Sequence, residues 1–210
     1  MTQNGAVLYY VHDPMCSWCW AYRPRMIELS SSLPDGVAWH SVLGGLAPDS
    51  NQPMPEGTRQ MVQSHWRKIQ ATTATEFNFD FWIKCQPRRD TYKSCRAVIA
   101  ASNQQAGEEM VEAIQKAYYL RAMNPSELET LVELARELGL DHHLFEKDLV
   151  SVQTEKKLQN EFLLRSRLGV RSFPSLVLGY DSSFTPINHD YKNVLPTLME
   201  IRACVSSVTS

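Results

Sequence analysis

Two cysteines separated by two residues, Cys16-Ser17-Trp18-Cys19, sit where an apolar run gives way to a helical pattern. At a helix N-terminus the unpaired backbone N–H groups and the positive dipole end stabilise an anion. A thiolate is such an anion, and it is the reactive form of cysteine. The placement makes Cys16 the candidate nucleophile. Cys19, one turn further in and within disulfide reach, is the candidate resolving thiol. Spacing alone leaves two other readings open. A CxxC also serves as half of a zinc site, which needs two more ligands. Cys85 and Cys95 could supply them, although nine intervening residues and Pro87 make them unlike a zinc knuckle pair. Alternatively, the cysteines simply fill small apolar core positions. Thiol chemistry is the favoured reading, with no metal and no cofactor expected.

A second segment, Gly169-Val170-Arg171-Ser172-Phe173-Pro174-Ser175, leads into a strand pattern. A proline at a strand's first residue often has a special backbone role, and X–Pro bonds carry nearly all cis peptides. By itself Pro174 reads as no more than a loop that stops a helix.

The elements that must position these residues can be read from periodicity. Ala6 to His12 has the composition of a buried strand, Cys16 to Ser31 keeps helical spacing, and Val37 to Leu43 is the next strand. Strand, helix, strand implies two parallel strands joined by a right-handed crossover. Helical patterns then dominate to about Leu168: Arg59 to Ala71, Thr91 to Gln105, Glu108 to Ala122 and Thr154 to Leu168. Ser126 with Glu129 reads as a capping box for a further helix ending at Gly139. Phe77 to Ile83 reads as an extended connection. Leu176 to Leu178 and Phe184 to Ile187 read as strands, and Tyr191 to Cys204 as a closing helix that Pro196 interrupts or truly starts. The expected fold class is therefore α/β: a split domain of residues 1–47 and 169–210, with a helical insertion of residues 48–168.

Composition excludes several functions. With 43% hydrophobic residues the 210-residue chain can bury a sizeable core. Its 21 basic and 23 acidic residues leave no electrostatic footprint for nucleic acid. No apolar run approaches the ~20 residues that span a bilayer, and the N-terminus lacks a signal-peptide pattern, so the chain reads as cytoplasmic. Five cysteines do not make a secreted disulfide framework.

Together the two motifs carry a resemblance. The first strand, the CxxC opening a helix, and Pro24 five residues after Cys19 resemble thioredoxin, and Val170 to Ser175 resembles the superfamily's cis-proline loop. The helical insertion between them resembles the DsbA family. Asp13-Pro14-Met15-Cys16-Ser17-Trp18-Cys19-Trp20 is similar to the signature of its FrnE-like cytoplasmic branch of predicted disulfide isomerases. The resemblance implies a thioredoxin-like fold and a protein thiol–disulfide oxidoreductase or isomerase. Cys16, Cys19 and Pro174 would be its catalytic residues, and proteins bearing disulfides or thiols its partners. It also places Met15, Trp18, Trp20 and Phe173 around Cys16, with Met15, Trp18 and Phe173 as substrate contacts and Trp20 as core packing. Where the superfamily often has an acidic residue in the first strand, this chain offers Tyr10 and His12, with Asp13 the nearest carboxylate. His12 and Asp13 are thus candidates for handling the Cys19 proton, although Asp13 in Asp-Pro also reads as a turn residue. Two alternatives share the layout. Kappa glutathione transferases and hydroxychromene-carboxylate isomerases typically carry a serine near the nucleophile position, and a thioredoxin-like adaptor delivers a transcription factor to a bacterial AAA+ protease.

Overall fold

A computed structural model of the chain describes residues 5–208. Strand β1 (Ala6–His12) pairs in parallel with β2 (Val37–Leu43) from Ala6↔Val37 to His12↔Leu43, and helix α1 (Ser17–Ser31) makes the crossover. Five of the seven β1 residues are buried because β1 is interior to the sheet, whose order is β2-β1-β3-β4, whereas in the edge strand β2 only Val42 and Leu43 are. Strand β3 (Ser175–Tyr180) runs antiparallel to β1, and β4 (Ser183–Ile187) antiparallel to β3. Between β2 and β3 lie α2 (Glu56–Thr73), α3 (Phe81–Lys84), α4 (Tyr92–Ser102), α5 (Gly107–Tyr119), α6 (Leu128–Glu137), α7 (His142–Leu149) and α8 (Val152–Arg167). Helix α9 (Leu195–Val208) follows β4, with Pro196 in its first turn, where a missing N–H costs nothing.

The period-2 geometry of β1 separates two cores. Leu8 and Tyr10 face α1 and α9, packing with Tyr22, Leu29, Leu176, Leu178 and Ile201. Val11 faces the other way, with Val42, Val177 and Leu168. A third and larger core fills the helical segment and reaches Met15, Ala21 and Leu43 at the sheet's end. Its centre is Trp66, wholly buried, with ring centroids of Phe77, Phe79, Phe81, Trp82, Tyr118 and Tyr119 at 4.9–5.9 Å. No helix among the described residues is long and apolar enough to cross a membrane.

Three sequence expectations need correction. The capping box does not form: Glu127 is the N-cap of α6 without a side-chain bond, and the buried Ser126 hydroxyl donates to the Asp90 carbonyl instead. Phe81–Lys84 is a helical turn rather than extended chain, because the Asn78 side chain accepts from Asp80 N and begins a turn. Helix α1 begins at Ser17, one residue later than expected, with Cys16 as its extended N-cap.

Candidate active site

Helix α1 starts where β1 runs out. Asp13 turns the chain: its carbonyl accepts from Cys16 N at 3.0 Å and its Oδ1 from Met15 N at 2.8 Å. Cys16 then occupies the N-cap with no side-chain bond to the helix amides, so the first turn keeps unpaired N–H groups beside its sulfur. Trp20 N donates to the Cys16 carbonyl and starts the helical ladder. Pro24 lies inside α1 and withdraws one further N–H.

The second motif arrives from the opposite end of the chain. Helix α8 closes at Gly169, whose φ of +70° and the Val170 N bond to the Arg165 carbonyl turn the backbone sharply. The loop that follows brings the Phe173 carbonyl to 3.5 Å from Cys16 Sγ. The Phe173–Pro174 bond is cis, and Pro174 is buried. Gly44 is needed beneath this loop, since a Cβ there would lie 2.2 Å from the Phe173 ring.

The two cysteines differ in surroundings. Cys16, only 5% exposed, lines a groove of about 310 Å³ together with Met15, Trp18, Trp66, Arg171 and Phe173. Cys19 is completely buried, and burial pushes its thiol well above the usual range, helped by the adjacent Cys16. Trp18 is partly exposed, its ring edge-on to Tyr191 at 5.2 Å. Trp20 points away from the groove, stacking on Tyr119 and donating to the Glu76 carbonyl. Tyr119 in turn donates its hydroxyl to the Met15 carbonyl at 2.7 Å, tying the motif to α5.

Asp13 does more than turn the chain. Fully buried, its Oδ2 accepts from Leu46 N at 2.6 Å, from Thr91 Oγ1 at 2.7 Å and from Cys95 Sγ at 3.7 Å. Burial raises its carboxyl above the ordinary value, and these donors pull it back down. Its backbone N–H bonds toward the Cys19 sulfur, and its charge also acts on that thiol. The roles of Thr91 and Cys95 carried no sequence signal beyond residue type, because both come from α4 and its N-cap. Cys85 instead donates to the Ala122 carbonyl at 3.0 Å, so it and Cys95 serve different places. Among the described residues no group of three or more His, Cys, Asp or Glu side chains could hold a metal ion.

His12 stacks on Tyr10, and its Nε2 lies 3.0 Å from Ser41 Oγ. Burial first, and then Arg23, push its pKa from 6.5 to about 4. As pH falls below 6.5 the unfolded chain therefore takes the proton before the native one does. Stability contributed by neutral His12 is complete above that value and is lost as pH falls to about 4. From pH 7 to pH 5 this group alone should cost roughly 2 kcal/mol. Urea unfolding at both pH values should show the wild type losing that much more than His12→Gln, and equal losses would refute it.

A family model described as thioredoxin matches residues 9–194, a span that takes in both the dithiol and the Phe173–Pro174 loop. The chain belongs to the thioredoxin family. Within it, a solved structure described as a candidate protein disulfide isomerase from Nitrosomonas europaea superposes with a TM-score of 0.78, at 25% identity and 98% coverage of each chain. The cytosolic disulfide reductase DsbM of Pseudomonas aeruginosa gives 0.73 at 25% identity, covering 97% of this chain and 98% of its own. DsbA oxidoreductases share the same thioredoxin-like fold with its helical insertion. A curated relative, the ClpXP adapter protein SpxH of Halalkalibacterium halodurans, is 26% identical over 183 residues, 83% of this chain and 59% of the relative. The chain thus spans less than two thirds of the length of the curated relatives it matches.

Proposed function

We propose that the protein is a disulfide reductase or isomerase acting on protein disulfides through Cys16 and Cys19. The observation that carries this reading is the pairing of unlike thiols. One stands at a helix start, lines a groove and faces a loop carbonyl. The other is buried behind it. Similarity to DsbM and to the Nitrosomonas europaea protein supports the same chemistry.

In the proposed reaction the Cys16 thiolate attacks one sulfur of a substrate disulfide. The substrate S–S bond breaks, a Cys16–substrate S–S bond forms, and the departing thiolate takes up a proton. Cys16 thereby loses its charge, which removes one of the influences holding the Cys19 proton in place. Asp13, whose amide is directed at the Cys19 sulfur, is the proposed group easing that proton away, with His12 held instead on Ser41. Cys19 then attacks the Cys16 sulfur, releases the second substrate thiol and leaves a Cys16–Cys19 disulfide. Two electrons pass to the substrate, and a low-molecular-weight thiol or another dithiol protein must restore them. Met15, Trp18 and Phe173 are the proposed substrate contacts, with Pro174 holding the loop against the dithiol. The cytoplasm, where such reductants are kept, is the proposed address.

Net flow is proposed to run toward reduction. Burial keeps Cys19 protonated, and Ser17-Trp18 place no cation between the cysteines. Ser17-Trp18 thus supply no charge that would favour the reduced form, the kind of stabilisation that makes DsbA an oxidant. Equilibration with glutathione buffers should give a potential nearer thioredoxin's ~−270 mV than DsbA's ~−120 mV. A value near the latter would overturn the direction.

The similarity to SpxH favours one second reading, a ClpXP-type adaptor that binds its partner by surface shape. Such a protein needs neither thiol to be reactive.

A further inference from the structure

The groove at Cys16 is electrostatically one-sided. Its lining contains Arg88, Arg89, Arg171 and His65, and it contains no Asp or Glu. The whole chain has a formal charge of −2, so this positive rim runs against the average of the molecule. Arg88 is already engaged, 2.8 Å from Glu127. Arg89 and Arg171 are exposed, and neither forms a salt bridge among the described residues. They come from unrelated parts of the chain, one from the segment before α4 and the other from the loop that carries Phe173. The fold therefore brings two guanidinium groups without a salt bridge into the lining of the same groove as the nucleophile. The nearby carboxylates are directed elsewhere: Asp13 is buried among its donors, and Asp90 is buried beside Lys93.

Resting on the dithiol reading above, we infer that the preferred substrates are polypeptide segments in which acidic residues flank the disulfide. A guanidinium fork suits a carboxylate geometrically, and a single-sign groove raises the local concentration of the opposite charge. The α1 N-terminus adds partial positive charge at Cys16 itself. A polypeptide suits the rest of the lining. Met15, Met54 and Met61 give flexible apolar surface that adapts to varied side chains, and Trp18 and Phe173 give flat aromatic ones. Acidic residues beside the cystine would meet Arg89 and Arg171 while the sulfur sits at Cys16. Like charges there would repel basic substrates, so the groove selects by exclusion as well as by attraction.

The test uses three disulfide peptides that differ only in the residues beside the cystine: Glu, Gln or Lys. At low ionic strength kcat/KM for reduction should be about tenfold higher for the Glu peptide than for the Lys peptide, with Gln between. The ratio should shrink toward one in about 1 M salt, where the Debye length is ~3 Å. It should also shrink in the double variant Arg89→Gln, Arg171→Gln. Equal rates for the Glu and Lys peptides, or an unchanged ratio in the double variant, would overturn the inference. Oxidised glutathione competing as well as the Glu peptide would overturn the polypeptide assignment. A second measurement does not depend on turnover. Binding of fluorescently labelled, thiol-blocked peptides to the Cys16→Ser, Cys19→Ser double variant, read by anisotropy, should follow the same order. Charge-ordered binding without any reduction would sink the oxidoreductase reading and leave this one standing, whereas reduction at equal rates would do the reverse.

Discussion

Cells expressing the Cys19→Ser chain are expected to accumulate covalent complexes with other proteins that a reducing agent releases. Exchange stalls after its first step when the resolving thiol is gone, because nothing remains to attack the Cys16 sulfur. The burial of Cys19 strengthens the expectation, since no solvent thiol has an easy path to the position it vacates. Cys16→Ser should trap nothing and should lower insulin reduction on the order of a thousandfold or more, to the uncatalysed background. Non-reducing gels followed by mass spectrometry would identify the trapped partners. An adaptor would bind its partner equally well in both variants and without a reducible bond. If Cys19→Ser traps nothing and the wild type reduces no disulfide, the SpxH-like reading takes the place of the enzyme.

Trp66→Ala should be the most destabilising single truncation in the helical segment. The indole is fully buried among six aromatic rings, which cannot close over so large a void. Such replacements cost about 3–5 kcal/mol, a large part of the ~5–15 kcal/mol that holds a domain together. Its Nε1 has no hydrogen-bond partner among the described residues, so Trp66→Phe loses volume but no bond and should cost less than half as much. Urea unfolding curves with unchanged slopes would give both values. A Trp66→Ala loss below about 1 kcal/mol would show that the aromatic cluster repacks.

These two predictions differ in how far the sequence foretold them. The dithiol was legible because its signal is local: a strand pattern, two cysteines at helical spacing and a helix, all within some thirty residues of one another. The same held for β3, where Pro174 and an apolar run marked the strand start. Asp13 was half legible. Asp-Pro announced the turn, but Leu46, Thr91 and Cys95 lie 33 to 82 residues away, and no pattern links them. The Trp66 cluster was hidden for the same reason, since Phe77, Phe79, Phe81 and Ile83 alternate like a strand, yet the three Phe rings turn inward on an aromatic core while Ile83 stays exposed. At Ser126 a local signal was outcompeted, because a buried carbonyl at Asp90 claimed the hydroxyl meant for the helix end. Sequence separation also explains the rim of arginines, which becomes a rim only when residue 171 is folded back against residue 89.

That separation has a temporal side. The bond between Cys16 and the Phe173 carbonyl joins residues 157 positions apart. At about 5–20 residues per second of synthesis, the covering loop is made roughly 8–30 s after the cysteines. Throughout that interval the nascent chain carries two uncovered thiols with neither their groove nor their guard. A ribosome-bound chain stalled before residue 170 would be alkylated at both cysteines, whereas the finished protein keeps Cys19 out of reach.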